Sequence, residues 1–341
     1  MCGIFGIFGN TDASVNTALG LHALQHRGQE GGGIASWDNG LHSCHDTGRI
    51  GEIFGEESIL AQLPGTMAVG HVRYSTTGGP SQASVQPLKA NFDFGEFALV
   101  HNGDITNFLQ LKQRLVGQGA LFQSTGDTEV ILHLMAMQAE SDFNKFQNAL
   151  KRLEGAYSII AISQNRMFVA RDPHGFRPLV MGTLGDGYVF ASETCALDII
   201  GAEYKREINP GEVLIVSGHN VQSTYPLLQR PKKFCVFENI YFSRPDSVYD
   251  GEVVYDVRKR IGIELAKESA VETDIVIPVP DSGVPSALGY AQEAGIPFEM
   301  GITRSHYRGR TFIQPEQKIR DLGVKLKHNA LRSMKGKTVT V

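Results

Sequence analysis

The sequence predicts two folds in one chain: an α+β layered fold over residues 2–230, followed by the start of a parallel α/β sheet over residues 235–341. Three observations carry this. Short apolar runs dominate the first part, with few helical stretches between them, which suggests sheets packed with helices rather than a doubly wound fold. The pattern then changes at Gln229-Arg-Pro-Lys-Lys233, a plausible linker. Beyond it, an apolar strand, a loop, a helix and a second strand follow one another, the pattern of a βαβ unit and hence of parallel pairing.

Taken in order, Cys2–Phe8 alternates small and large apolar residues and reads as a buried strand. Asn10-Thr-Asp12 offers helix caps, and Val15, Ala18, Leu19 and Ala23 line one face of the helix that follows, which should stop near Gly28. Gly31-Gly-Gly33 reads either as close backbone approach to a ligand or as a turn, before Ile34–Trp37 resumes strand character. Ala68–Tyr74 and Glu96–Val100 read as strands, Ile105, Phe108, Leu109 and Leu115 as an amphipathic helix, and Val130–Met137 as an apolar helix. Tyr157–Ser163 and Arg166–Ala170 form a hairpin around Gln164-Asn165. Strands follow at Leu179–Met181, Tyr188–Ala191 and Glu212–Ser217. In the second part, Val253, Val254, Val257, Ile261 and Leu265 mark a helical face. Asp274–Pro280 is the apolar strand, Pro285–Glu293 the crossover helix, and Phe298–Ile302 and Lys337–Val341 further strands.

Composition excludes several classes. With 42% hydrophobic and 20% charged residues among 341, the chain is an ordinary globular sequence that needs no disulfide staples. A net charge of −4 gives no footprint for nucleic acid. No apolar run approaches the ~18 residues of a membrane span, and no basic-then-apolar leader opens the chain, so the cytoplasm is the expected compartment. The four cysteines (Cys2, Cys44, Cys195, Cys235) include no CxxC pair.

The chemistry starts at Met1-Cys2-Gly3-Ile4. Removal of the initiator methionine would leave Cys2 with a nucleophilic thiol and, on the same residue, an amine of pKa about 7.7–8.0 able to act as a general base. The alternative is a small buried residue at a strand start. Other candidates carry similar pairs of readings. Arg73, delivered by a strand into a Gly-rich loop, suits a bidentate carboxylate clamp or is a surface arginine. Asn102-Gly103 is a turn, or an amide and an N–H aimed at one oxyanion. Asp127 closes a capping box with Ser124, or receives a substrate ammonium. Asp281-Ser282 would lie at the carboxyl end of a parallel strand, where ligands bind. Tyr307–Phe312 could cover an anion or be a solvated basic loop.

These stretches resemble the amidophosphoribosyltransferase (glutamine phosphoribosylpyrophosphate amidotransferase) family. The resemblance runs through Cys2-Gly-Ile-Phe-Gly-Ile, Leu24-Gln-His-Arg-Gly-Gln-Glu30, Gly70-His-Val-Arg-Tyr-Ser-Thr-Thr77, His101-Asn-Gly103 and Ser124-Thr-Gly-Asp127. It continues through Arg171-Asp-Pro, Ala191-Ser-Glu-Thr194, Tyr241-Phe-Ser-Arg-Pro-Asp-Ser247, Val279-Pro-Asp-Ser282 and Gly309-Arg-Thr-Phe-Ile-Gln-Pro315. The first group indicates only an N-terminal-nucleophile (Ntn) glutamine amidotransferase; Tyr241–Ser247 and Gly309–Ile313 are the specific ones.

The resemblance implies an αββα Ntn hydrolase domain over residues 2–230 and an incomplete type I phosphoribosyltransferase domain over 235–341. It makes Cys2 the nucleophile on glutamine, Asn102 and Gly103 the oxyanion hole, and Arg73 and Asp127 the partners of the substrate carboxylate and ammonium. Ammonia would pass to phosphoribosylpyrophosphate, under a loop that includes Arg308, Gly309, Arg310 and Thr311. Ser282 matches a position near Mg²⁺, and Cys235 one ligand of a [4Fe–4S] cluster found in some members. An acidic pair and a Gly-Thr-Thr loop follow the last strand in the family. Here the chain stops at Val341, so it reads as truncated, with glutaminase-only or inactive behaviour as the alternative. Asp104 stands where asparagine is usual. A homo-oligomer is expected at full length, with no membrane or nucleic-acid partner. The glucosamine-phosphate synthase group is the competing enzyme reading, and the βαβ unit speaks against it.

Overall fold

β1 (Gly3–Phe8) is buried along its whole length and explains the architecture around it. Ile4 and Phe8 point to one side, into a cluster with Ala98, Val100, Ile160 and Ile162; Phe5 and Ile7 point to the other, among Leu21, Leu24 and Val72. A strand apolar on both faces is one covered on both faces. The structure, a computed structural model, describes residues 2–74, 82–137, 141–305 and 317–341. It divides into two compact units, Met1–Cys235 and Val236–Val341.

In the first unit β1 is followed by α1 (Ala13–Ala23), β2 (Gly31–Trp37), β3 (Leu41–Thr47), α2 (Ile50–Ile53), α3 (Glu57–Leu60), β4 (Met67–Arg73), β5 (Leu88–Phe92) and β6 (Gly95–Ile105). Then come α4 (Phe108–Gly117), α5 (Glu129–Ala136), α6 (Asp142–Leu150), β7 (Gly155–Ser163), β8 (Arg166–Arg171), β9 (Val180–Leu184) and β10 (Gly187–Ala191). α7 (Cys195–Asp198), β11 (Glu203–Glu207), β12 (Val213–Ser217) and β13 (Asn220–Thr224) complete it. A seven-stranded sheet has the order β11-β9-β10-β1-β4-β2-β3, and a six-stranded sheet the order β13-β12-β8-β7-β6-β5. The sheets share one apolar layer between them. α1, α2 and α7 cover the outer face of the first sheet, and α4, α5 and α6 that of the second. The result is helix, sheet, sheet, helix.

Several local expectations are corrected. Gly31–Gly33 is neither turn nor ligand loop but the start of β2. A Cβ on Gly32 would lie 2.4 Å from Ile50 Cδ1, so the glycines serve packing. Asn102-Gly103 is not a turn, because β6 runs on through it to Ile105. The buried side of α1 holds Ser14, Thr17, Gly20 and Leu21, while Val15 and Leu19 are exposed. The reason is close approach: a Cβ on Gly20 would sit 2.4 Å from the Phe5 ring.

The second unit holds β14 (Val248–Tyr249), β15 (Glu252–Val253), α8 (Val254–Glu268), β16 (Ile275–Val276), α9 (Val284–Ala294), β17 (Ile302–Arg304), α10 (Gln317–Lys327), β18 (His328–Ala330) and β19 (Val339–Thr340). β16 pairs with β19 in parallel, and Val276 bridges Phe298 in parallel, as a βαβ unit requires. Its third expected strand is shifted, because Ile302–Arg304 pairs antiparallel with β18. The apolar face expected for the long helix holds only in part, at Val254 and the half-buried Val257. α8 buries Val254, Arg258, Gly262 and Ala266 and exposes Ile261 and Leu265. Gly262 and Gly289 let α8 and α9 touch backbone to backbone, since their Cβ atoms would lie 1.9 Å from Ser286 O and 2.1 Å from Lys259 O.

Candidate active site

Cys2 enters β1 at the edge of a cavity also lined by Arg73, Gly103 and Asp127. Its N–H donates to Asn102 Oδ1 at 3.1 Å, so Cys2 at the head of β1, three strand-borne residues and one from the segment before α5 meet at one place. The sulfur accepts from Tyr74 N–H at 3.4 Å. Burial pushes the Cys2 thiol up, against the lowering pull of Tyr74 N–H and Arg73, so the thiol is held in its protonated form. A base must take that proton before the sulfur can attack.

Asn102 is fully buried, and its Nδ2 meets no acceptor among the described residues. An unpaired buried amide donor costs about 1–3 kcal/mol, so it is a group waiting for a partner. Gly103 contributes its backbone. Its register partner Tyr157 donates its N–H to Asp172 Oδ2 and accepts Asp172 N–H, so Tyr157 turns its polar groups toward β8. By strand alternation, the N–H groups of His101, Gly103 and Ile105 therefore all face the opposite edge of β6. His101 N–H donates to Gln86 Oε1 at 2.6 Å and Ile105 N–H to Asp127 Oδ2 at 2.8 Å. Gly103 N–H lies between them at the cavity wall. Only glycine fits there: a Cβ would be 2.0 Å from Ala156 O and 2.6 Å from His101 Nε2.

Asp127 does not close a capping box. α5 begins at Glu129 after Thr128, and it is Glu129 that accepts from Ser124 N–H and Oγ–H, both at 2.7 Å. Asp127 faces the cavity instead. Arg73 is buried, not a surface arginine, and donates to the Ser84 carbonyl.

A second group fixes the nucleophile's backbone. Arg27 Nε donates to Cys2 O at 2.8 Å, and its guanidinium pairs with Glu193, which also accepts from His26 Nε2 at 2.7 Å. Burial alone would raise the Glu193 carboxyl, but His26 and Arg27 outweigh it and hold it well below the usual carboxylate range. Ser192 Oγ accepts Ile4 N–H at 3.0 Å. Leu24–Glu30 and Ala191–Thr194 both carry the family resemblance, yet their pairing is not legible in the sequence, because Arg27 and Glu193 are 166 residues apart. His101 is buried and neutral: burial lowers its pKa, outweighing the raising pull of Asp127 and Asp104.

Arg308, Gly309, Arg310 and Thr311 lie outside the described residues. Ser282 is in the turn before α9, beside Asp281, whose carboxylate is already paired with Arg304. Cys235 is a half-buried free thiol. Among the described residues no three His, Cys, Asp or Glu side chains converge as a metal site would require. One hydroxyl beside an engaged carboxylate does not fit Mg²⁺, and one thiolate does not fit a four-cysteine cluster.

The family described as glutamine amidotransferase domain matches residues 71–198, which include Arg73, Asn102, Gly103 and Asp127. The whole chain is 50% identical to the amidophosphoribosyltransferase of Rhizobium etli, of which it covers 70%. It is also 50% identical to the chloroplastic enzyme of Glycine max, of which it covers 60%, and 46% identical to that of Bacillus subtilis, of which it covers 72%. Among solved structures, one of the allosteric regulatory enzyme of purine biosynthesis superposes with a TM-score of 0.92 at 46% identity, covering 99% of this chain and 73% of that one. The B. subtilis glutamine phosphoribosylpyrophosphate amidotransferase, complexed with ADP and GMP, gives 0.91 at 46% identity, with 99% and 74% covered.

Proposed function

Since the chain belongs to the amidophosphoribosyltransferase family, we propose that it takes the amide nitrogen of glutamine at Cys2 and delivers it as ammonia to phosphoribosylpyrophosphate. The products are 5-phosphoribosylamine, pyrophosphate and glutamate, in purine biosynthesis. The observation that carries the first half is the pairing of Cys2 with Asn102, whose buried Nδ2 meets no partner among the described residues, beside Gly103 at the wall of the cavity that Cys2 lines.

The steps follow from the chain's own groups. After loss of Met1, the α-amine of Cys2 takes the thiol proton, and Sγ attacks the side-chain carbonyl carbon of glutamine. The oxygen of that carbonyl becomes an oxyanion, met by Asn102 Nδ2–H and Gly103 N–H. Collapse breaks the C–N bond. The ammonium of Cys2 returns the proton to the leaving nitrogen, and ammonia departs from a glutamyl thioester. Water, deprotonated by the same amine, hydrolyses the thioester to glutamate and free thiol. Arg73 holds the substrate carboxylate as a bidentate donor, and Asp127 accepts from its ammonium. Arg27 keeps Cys2 in place through its carbonyl. Ammonia then forms a bond to the anomeric carbon of phosphoribosylpyrophosphate as pyrophosphate leaves. Residues 308–311 would exclude water from that step.

Intact mass tests the first half. A diazoketone analogue of glutamine should add once to a protein lacking Met1, and not at all to Cys2→Ser. A folded chain that has lost Met1 and takes no adduct overturns the reading. Pyrophosphate release that needs both glutamine and phosphoribosylpyrophosphate tests the second half.

A further inference from the structure

Gln86 was not singled out by any motif, yet both ends of its amide are used within the site. It is 5% exposed. Oε1 accepts His101 N–H at 2.6 Å, on the strand that carries Asn102 and Gly103. Nε2 donates to Thr128 Oγ1 at 3.0 Å, at the start of the helix that follows Asp127. Thr128 Oγ1 in turn shares a hydrogen bond with His101 Nδ1 at 3.0 Å, while Asp127 Oδ2 accepts Ile105 N–H. Three successive outward N–H groups of β6 are thus treated differently. The outer two are each capped by a side chain, and the middle one, Gly103, faces the cavity.

We propose that Gln86 is a positioning residue: one amide joins the oxyanion strand to the segment bearing Asp127, and so holds Gly103 N–H in register with the substrate's ammonium partner. This rests on the glutaminase reading above. Loss of the clamp leaves the Cys2 pocket formed but lets the donor drift from the place where charge develops. Such misplacement slows the chemical step more than it weakens substrate binding.

Gln86→Met matches the side chain in length and removes both polar ends. Its kcat for glutamine hydrolysis should fall by about tenfold to a hundredfold with KM within about twofold, because uniform binding is untouched. Gln86→Glu gives a readout that mere packing would not. Protonated, the new acid accepts from His101 N–H and donates to Thr128; ionised, it can only accept. Burial and the neighbouring Asp127 raise its pKa, so the ratio of Gln86→Glu to wild-type kcat should climb as pH is lowered from about 8 to about 6. The Gln86→Met ratio should stay flat. Stoichiometric diazoketone labelling of both variants confirms that their pockets are formed; if the methionine variant does not label, the pH trace of the glutamate variant decides. Wild-type kcat in Gln86→Met, or a flat Gln86→Glu ratio, overturns the role of Gln86. Wild-type protein that hydrolyses no glutamine overturns the glutaminase reading beneath it.

Discussion

The two units hold their functional residues by different means. In the first, three apolar layers clamp two sheets, and β1, β4 and β6 deliver Cys2, Arg73 and Asn102-Gly103 from within that frame. In the second, the buried apolar cluster is Ala266, Val276, Tyr290 and Ala291, and the main contact is the glycine-mediated crossing of α8 and α9. A site built on paired strands is over-determined, because Arg73, Asn102 and Gly103 inherit their direction from the register of long, buried ladders. A unit built on one close helix crossing depends on a few backbone contacts. The comparison teaches where damage should be chemical and where it should be structural.

The largest expected effect breaks the first unit's chemistry without touching its frame. Asn102→Ala removes an Nδ2 donor that meets no acceptor among the described residues, so folding should survive while kcat for glutamine hydrolysis drops about 10²–10³-fold, measured by glutamate release. If melting falls with kcat, Asn102 is a structural amide and the oxyanion assignment is lost. Gly103→Ala should lose activity and stability together, since its Cβ overlaps Ala156 O.

The second unit should show the reverse. Gly262→Ala forces apart two backbones whose contact organises that unit, at about 1–3 kcal/mol or more. Limited proteolysis or hydrogen exchange should report loosening of α8 and α9, while Cys2 still takes one diazoketone adduct. Loss of the adduct would show that the two units are not energetically separable.

How far the sequence reveals this follows the same division. β1 and the β7–β8 hairpin are legible because burial on both faces and β-branched runs leave no helical alternative. Cys2, Arg73, Asn102 and Asp127 were each visible with a second reading attached, and their convergence needed strand register that spans a hundred residues. The helix faces are right only in part: Ala23 and Val254 are buried as periodicity predicts, while Val15, Leu19, Ile261 and Leu265 are exposed. Apolar periodicity marks only the apolar side chains, but α1 and α8 also turn Gly20 and Gly262 inward, where a neighbour comes too close for anything larger. Gln86 gave no signal, because its value lies in two hydrogen bonds to distant segments.

A smaller effect, in pH, sharpens the contrast. His71 is fully buried in β4, and burial, then Arg73 and His101, hold its pKa well below 6.5. Unfolding lets it protonate normally, so below about pH 6.5 the unfolded state binds more protons and stability falls with acid. The stability is fully present above the unfolded pKa and is lost as pH drops toward the folded one. Thermal melts of wild type between pH 7.5 and 5 should therefore decline more steeply than those of His71→Gln. Parallel lines would place the acid sensitivity elsewhere.

The smallest effect tests the corrected helix faces. Leu19 in α1 and Ile261 in α8 lie on the faces that periodicity would bury, yet they are 41% and 40% exposed. Leu19→Lys and Ile261→Lys should each shift stability by no more than about 0.5 kcal/mol, because the lysine stem covers the same surface and its charge reaches water. Ala18→Leu, also on the expected face of α1 but half-buried, should cost more than Leu19→Lys if small residues are what the contact requires. A melt in which the lysine variants fall further than Ala18→Leu would mean that the large residues of these helices carry the packing after all, and that the glycine contacts are incidental to it.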